Sequence, residues 1–136
     1  MEKDKRELII DETLTRLRNA FRSTHSIMRG KIDIKETEIP AIYLYEDVER
    51  ISKQQWNTYI CTLPLQIDLY DRSYEEPYLN GNVYLRNLRK ALELDRDYNK
   101  LVVNYGMVAR FIDISIKPLM KASVVYEFEY YEFFNK

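Results

Sequence analysis

The longest regular pattern in the chain runs through "NTYICTLPLQIDLYD", where Tyr59, Cys61, Leu63, Leu65, Ile67 and Leu69 alternate with Thr58, Thr62, Gln66 and Asp68. Period-two alternation over this length predicts a long strand with one face buried. Pro64 falls on the opposite face and lacks a donor, which predicts a sheet edge or a bulge there. A second alternation, "SVVYEFEYYEFF", puts Val124, Tyr126, Phe128 and Tyr130 on one side and Ser123, Val125, Glu127, Glu129 and Tyr131 on the other. Aromatic bulk therefore lies on both faces of the last strand. Between these runs "VARFIDISI" places Val108, Ile112, Ile114 and Ile116 on one face, with Arg110 as the exception, until Pro118 breaks it. Its strand is expected to pair with the last one across "KPLMKA".

Helical periodicity is confined to two stretches. In residues 5–22, Ile10, Leu14, Leu17 and Phe21 recur at steps of four, three and four, the stripe of an amphipathic helix, with Gly30 a natural stop beyond it. From Val83 to about Leu94, the stripe Leu85, Leu88, Ala91 and Leu92 faces away from Arg86, Arg89, Lys90 and Glu93. The "NG" at Asn80–Gly81 leads into this pattern and is expected at the helix approach. Weaker strand signals lie in "KIDIKE", in Ala41 to Tyr45 after Pro40, and at Leu101 to Val103. Helix, two or three strands, helix, two strands is an α+β order. It predicts a single domain over residues 1–136: a mostly antiparallel sheet with two main helices on one face.

After Glu46 the second strand becomes charged, with Asp47, Glu49, Arg50 and Lys53, and the stretch ends at the only tryptophan, Trp56. One expectation is a charged β-hairpin projecting as a docking arm with Trp56 at its base. The other is a plain turn with Trp56 in the core.

Composition narrows the chemistry more than it adds to it. The chain has 136 residues, one domain's worth, and a net charge of -1, so no global field recruits nucleic acid or an anionic membrane. No apolar run approaches the roughly 20 residues that cross a bilayer, and the charged "MEKDKRELII" lacks a signal-peptide pattern, so the chain is expected to be made and kept in a cytoplasm. One histidine, His25, and one cysteine, Cys61, cannot assemble a zinc site from the usual nitrogen and sulfur donors. Cys61 reads as a structural thiol and His25 as a helix-terminal residue. The 3 glycines are too dispersed for a phosphate cradle, and no serine sits in a glycine-flanked elbow. Neither a cofactor nor a metal is expected. "NLRKALELDR" carries Arg86, Arg89, Lys90 and Arg96 near Tyr84 and Tyr98, but interleaved Glu93, Asp95 and Asp97 read as ordinary ion pairs on a helix surface.

What remains is surface. Tyrosine stands at 12 residues, and it suits surfaces wet in one state and covered in another. Val125, Tyr131, Phe133 and Phe134 fall outside the expected core and imply a second covering surface, most simply a neighbouring copy.

Taken together, the N-terminal helix, "EIPAIYLYEDVER", "NTYICTLPLQIDLYD", the second helix and the terminal "ASVVYEFEYYE" resemble the tail terminator and tail completion proteins of long-tailed bacteriophages. Those proteins have a "FPAVAVY"-like strand, a long amphipathic strand after a charged hairpin, and a last strand of the "ADLTYVITYE" kind. The likeness spans about Arg6 to Phe134, and its motifs build a fold and carry no reaction. It implies a virion structural protein without catalysis, made in the host cytoplasm. Such a protein forms a ring, commonly of six copies and alternatively twelve-fold, between tail tube and neck or connector proteins, with DNA passing through the lumen. Pro64 and the tyrosine load depart from the pattern, and head–tail connector proteins share a similar small fold. Rivals of other classes are a small cytoplasmic enzyme built on the carboxylates Glu127 and Glu129, and a module binding one peptide by strand addition.

Overall fold

A computed structural model of the chain describes residues 4–30, 38–73, 75–115 and 119–133. The first helix, α1 (Lys5–Phe21), starts where Asp4 accepts a hydrogen bond from the Glu7 backbone N–H at 2.9 Å, satisfying one of the orphan donors of the first turn. It buries Ile9, Ile10, Leu14, Leu17 and Phe21, the stripe read from the sequence plus one flank. It ends at Phe21, whose carbonyl accepts from the N–H groups of both Thr24 and His25.

The next residues form a strand, β1 (Ser26–Arg29), parallel to β2 (Ala41–Glu46). Gly30 therefore closes a strand and not the helix. Its φ of 62° lies where a side chain is penalised, and its N–H donates to the Leu44 carbonyl. The expected strand at Ile32 and Ile34 lies outside the described residues.

β2 continues, after a break at Asp47 to Glu49, into β3 (Arg50–Gln55), and both pair antiparallel with β4 (Thr58–Arg72). The break explains Pro64. Its carbonyl accepts from the Asp47 N–H at 3.1 Å, so its donor-less nitrogen faces the same irregular point between β2 and β3, where a ladder bond is already missing. The proline thus sits in a central strand at a bulge of its partner.

The second helix, α2 (Pro77–Leu92), begins six residues earlier than the stripe suggested, with Pro77 in its first turn. Gly81 lies inside it, because an added Cβ would come within 2.8–3.0 Å of the Ile112 side chain. Leu101 to Val103 do not form a strand. Tyr98, Asn99 and Lys100 all have positive φ and turn the chain, and the Val103 N–H reaches the Glu129 carbonyl.

β5 (Asn104–Asp113) and β6 (Leu119–Phe133) pair antiparallel as expected, and β6 also pairs with β4 along its whole length. A bulge between Met107 and Ala109 leaves Val108 out of register and exposed. Tyr105 and Met107 take the core-side positions before the bulge, so of the face expected for Val108, Ile112 and Ile114, the two isoleucines pack against the core and Val108 does not. Ile116 and Pro118 lie outside the described residues.

The sheet order is β1-β2-β4-β6-β5, with β3 beside the first part of β4. Both helices cover one face, and the core lies between them and Ile42, Leu44, Cys61, Leu63, Leu65, Ile67, Leu69, Val124, Tyr126, Phe128 and Tyr130. This is the α+β architecture that the order of elements predicted.

Candidate assembly surface

Beyond the helices, β3, the start of β4 and the end of β6 form a three-stranded arm, closed by a two-residue turn at Trp56 and Asn57. Its strands extend past the core because their periodicity persists where nothing remains to cover them. All six residues of β3 are exposed.

Trp56 is at the tip of the arm, 83% exposed, and so occupies neither the base nor the core. The Lys53 ammonium lies 5.6 Å from its ring centroid. Register places Tyr131 opposite Ile60 and Phe133 opposite Thr58, on the face away from the helices. The Tyr131 and Phe133 rings are 6.0 Å apart, and Phe133 is 62% exposed. On the other face of the arm Ile51 is 59% exposed.

The structure therefore brings Tyr131 and Phe133 together with Ile60. Val125 lies six residues back, roughly 20 Å along the strand, half-buried opposite Gln66 and Ala109. It does not join that cluster. Phe134 falls outside the described residues.

Four of the expected arm residues serve the base of the arm. Arg29 donates to Glu7 at 2.7 Å and to Glu46 at 2.6 Å, and Arg6 donates to Glu46 at 3.0 Å and to Glu49 at 3.2 Å. Tyr130 donates to Glu49 as well. Burial would raise the Glu46 carboxyl, but the hydrogen bonds from Arg29 and Arg6 outweigh it and hold the group below the ordinary carboxylate value. Arg50 pairs with Glu127 at 3.1 Å, and Asp47 accepts from the Val48 N–H. The ion network ties the N-terminus of α1 and the end of β1 to the break between β2 and β3, and so fixes the angle of the arm. Lys53 and Trp56 are left as its free tip.

The groups weighed for chemistry are occupied structurally. Cys61 is buried and donates to Glu132, and burial together with that carboxylate pushes its thiol up to about 12, so it stays protonated. Glu127 is held by Arg50, and Glu129 is 3.5 Å from the Asn104 amide. His25 lies just past α1, buried between the Phe21 and Tyr84 rings. Its Nδ1 is 2.8 Å from the Thr24 hydroxyl, and its Nε2 lies 3.3 Å from Asp71 without an aligned hydrogen bond.

Among the described residues no cluster of three histidine, cysteine or carboxylate side chains is arranged to hold a metal. Tyr98 is buried with its hydroxyl 2.6 Å from that of Thr13, and Tyr84 donates to Asp71. Neither offers a ring for stacking beside the cations of α2.

No protein-family model matches the chain, and no curated protein matches it either.

Proposed function

We propose that this chain is a virion structural protein of a long-tailed phage. Identical copies form a ring at the head–tail junction that ends or completes the tail and docks to the neck, without catalysis. The reading rests on the resemblance in sequence, and the observation that carries it is the arm. Its motifs fall on β2, on the arm leading into β4, and on β6. The arm ends in an exposed tryptophan and carries the exposed Phe133 beside the half-buried Ile60 and Tyr131 on one face. An aromatic strip on rigid strands is the kind of surface that a neighbouring subunit covers, with large aromatics at its centre. A contact between two different surfaces of the same chain closes into a ring when its rotation divides the circle, so geometry sets the copy number. The ion network at the base of the arm would fix that rotation.

The test replaces Tyr131 and Phe133 by serine and compares light scattering after size exclusion, thermal unfolding, and electron microscopy of labelled particles. The expected result is loss of rings with an unchanged melting temperature, and a label on wild-type particles between tail tube and head. Unfolding of the variant would make these residues core. A label on the connector side of the neck would assign the chain there, and particles without the label would overturn the reading.

A further inference from the structure

The net charge of -1 conceals a segregation of charge. The end of α1 with its cap (residues 16–22) and the run from α2 into β5 (residues 86–110) hold nine lysines and arginines against three acids, a net of +6. The rest of the chain holds twelve against nineteen, a net of -7.

Two of the three acids that interleave with the cations in sequence are consumed in the fold, while among the described residues the side chain of the exposed Asp97 accepts only the Lys100 N–H. Glu93 pairs with Arg89 at 2.8 Å and accepts from the Tyr126 hydroxyl. Asp95 takes the buried Arg16 at 2.9 Å and the Asn99 N–H at 2.8 Å. Arg18, Arg22, Arg86 and Lys90 form no ion pair among the described residues, and all four are exposed.

Helical spacing puts these four on the outer side of their helices. On α1 and its C-cap the residues opposite the buried stripe include Arg18 and Arg22, four apart, and in α2 they include Arg86 and Lys90, also four apart. The helices pack side by side, and the groove between them is lined by Asn19, Ala20, Asn87, Lys90 and Leu94. The Asn19 and Asn87 amides make no hydrogen bond among the described residues and add neutral donors to the same strip. Arg110, on the strand beside α2, extends the positive charge past the edge of the helix layer.

We infer that this helical face binds the phosphate backbone of duplex nucleic acid without reading its sequence. Four unpaired cations on two rigid rods, with amide donors between them, match a row of phosphates in charge and in donor chemistry. Tyr98 is buried and Tyr84 half-buried, so neither is a free aromatic platform beside these cations of the kind that favours single strands. The segregation belongs to one chain and stands whether or not copies assemble.

The full-length chain is titrated onto a fluorescein-labelled 30-base-pair duplex of mixed sequence, and anisotropy is read from 50 to 200 mM KCl. About four phosphate contacts give a log–log salt slope near -3.6, so affinity is expected to fall roughly a hundredfold over that range. Arg18→Glu with Arg22→Glu, and separately Arg86→Glu with Lys90→Glu, should each weaken binding at least about tenfold and flatten the slope by about 2. Lys53→Glu with Lys121→Glu makes the same charge change on the arm and the outer sheet face, and should leave affinity within about twofold if the contact is local. Glutamine versions of the helix pairs, with melting curves, separate lost contacts from lost fold. Equal weakening by the arm and sheet control, or no binding at 50 mM KCl, would overturn the inference. So would salt-dependent self-association without duplex binding, since the helix face would then be meeting the acidic side of a second copy.

Discussion

Gly81 sits mid-helix, where alanine would ordinarily gain about 1 kcal/mol in helix propensity. The first side-chain atom would meet Ile112 Cδ1 at 2.8 Å and its Cγ2 at 2.9 Å, and a β-branched side chain on a paired strand has little room to turn. Overpacking of this kind costs about 1–3 kcal/mol. Gly81→Ala is therefore expected to destabilise the protein despite better propensity, lowering the urea midpoint with an unchanged m-value. Adding Ile112→Ala should recover part of that loss in a double-mutant cycle, whereas additive losses would show that the contact is not the cause.

Between elements, Arg16 holds α1 to α2. It is 5% exposed, donates to the Leu92 carbonyl at 2.7 Å, to Asp95 and to Glu12, and its guanidinium carbon lies 4.0 Å from the Tyr98 ring centroid. Burial opposes the charge on Arg16, and the hydrogen bonds it donates to Glu12 and Asp95 more than restore it. Arg16→Met is expected to cost about 2 kcal/mol, chiefly by leaving the Leu92 carbonyl at the end of α2 without its donor, since Asp95 and Glu12 keep some solvent. Arg16→Lys should retain most of that loss, because the three acceptors sit around three different guanidinium nitrogens, and an ammonium drawn to the carboxylates is held away from the Leu92 carbonyl and the Tyr98 ring. Equal stability of wild type and both variants in urea would remove Arg16 from this role.

At the scale of the whole molecule, stability is expected to depend on pH through His25, which lies where α1, β1, β4 and α2 meet. Burial lowers its basicity below the ordinary 6.5, and the charge of Asp71 only partly opposes this. The unfolded chain thus binds this proton more readily than the folded one. The contribution is complete above about pH 7, and it is lost as pH falls through 6.5 toward the lower folded value. Melting temperatures between pH 7.5 and 5 should fall in that window. His25→Gln keeps a polar contact to Thr24 without titrating and should flatten the fall, and a variant as steep as wild type would assign it to other groups.

Sequence alone determined the parts of this protein that repeat. The faces of β4 and β6, the stripe of α1 and the charged hairpin were legible because period two and period 3.6 are local consequences of backbone geometry, and burial follows them. Tertiary structure decided whatever depends on a partner distant in the chain. β1 exists because Ser26–Arg29 finds β2, and α2 reaches back to Pro77 because Gly81 can lie against Ile112. One extra residue at Val108 re-aims the first half of β5, a slip that alternation cannot reveal. For the candidate surface, Tyr131 and Phe133 were legible as surplus to one core, whereas Val125 was separated from them by the length of a strand. Glu46 and Glu49 were drawn inward by Arg6 and Arg29, and the acids beside the cations of α2 were taken up by Arg89, Arg16 and Tyr126. Charge is counted along a chain, but its pairing is settled in space, which is why a nearly neutral sequence leaves Arg18, Arg22, Arg86 and Lys90 exposed on the helical side without ion pairs among the described residues.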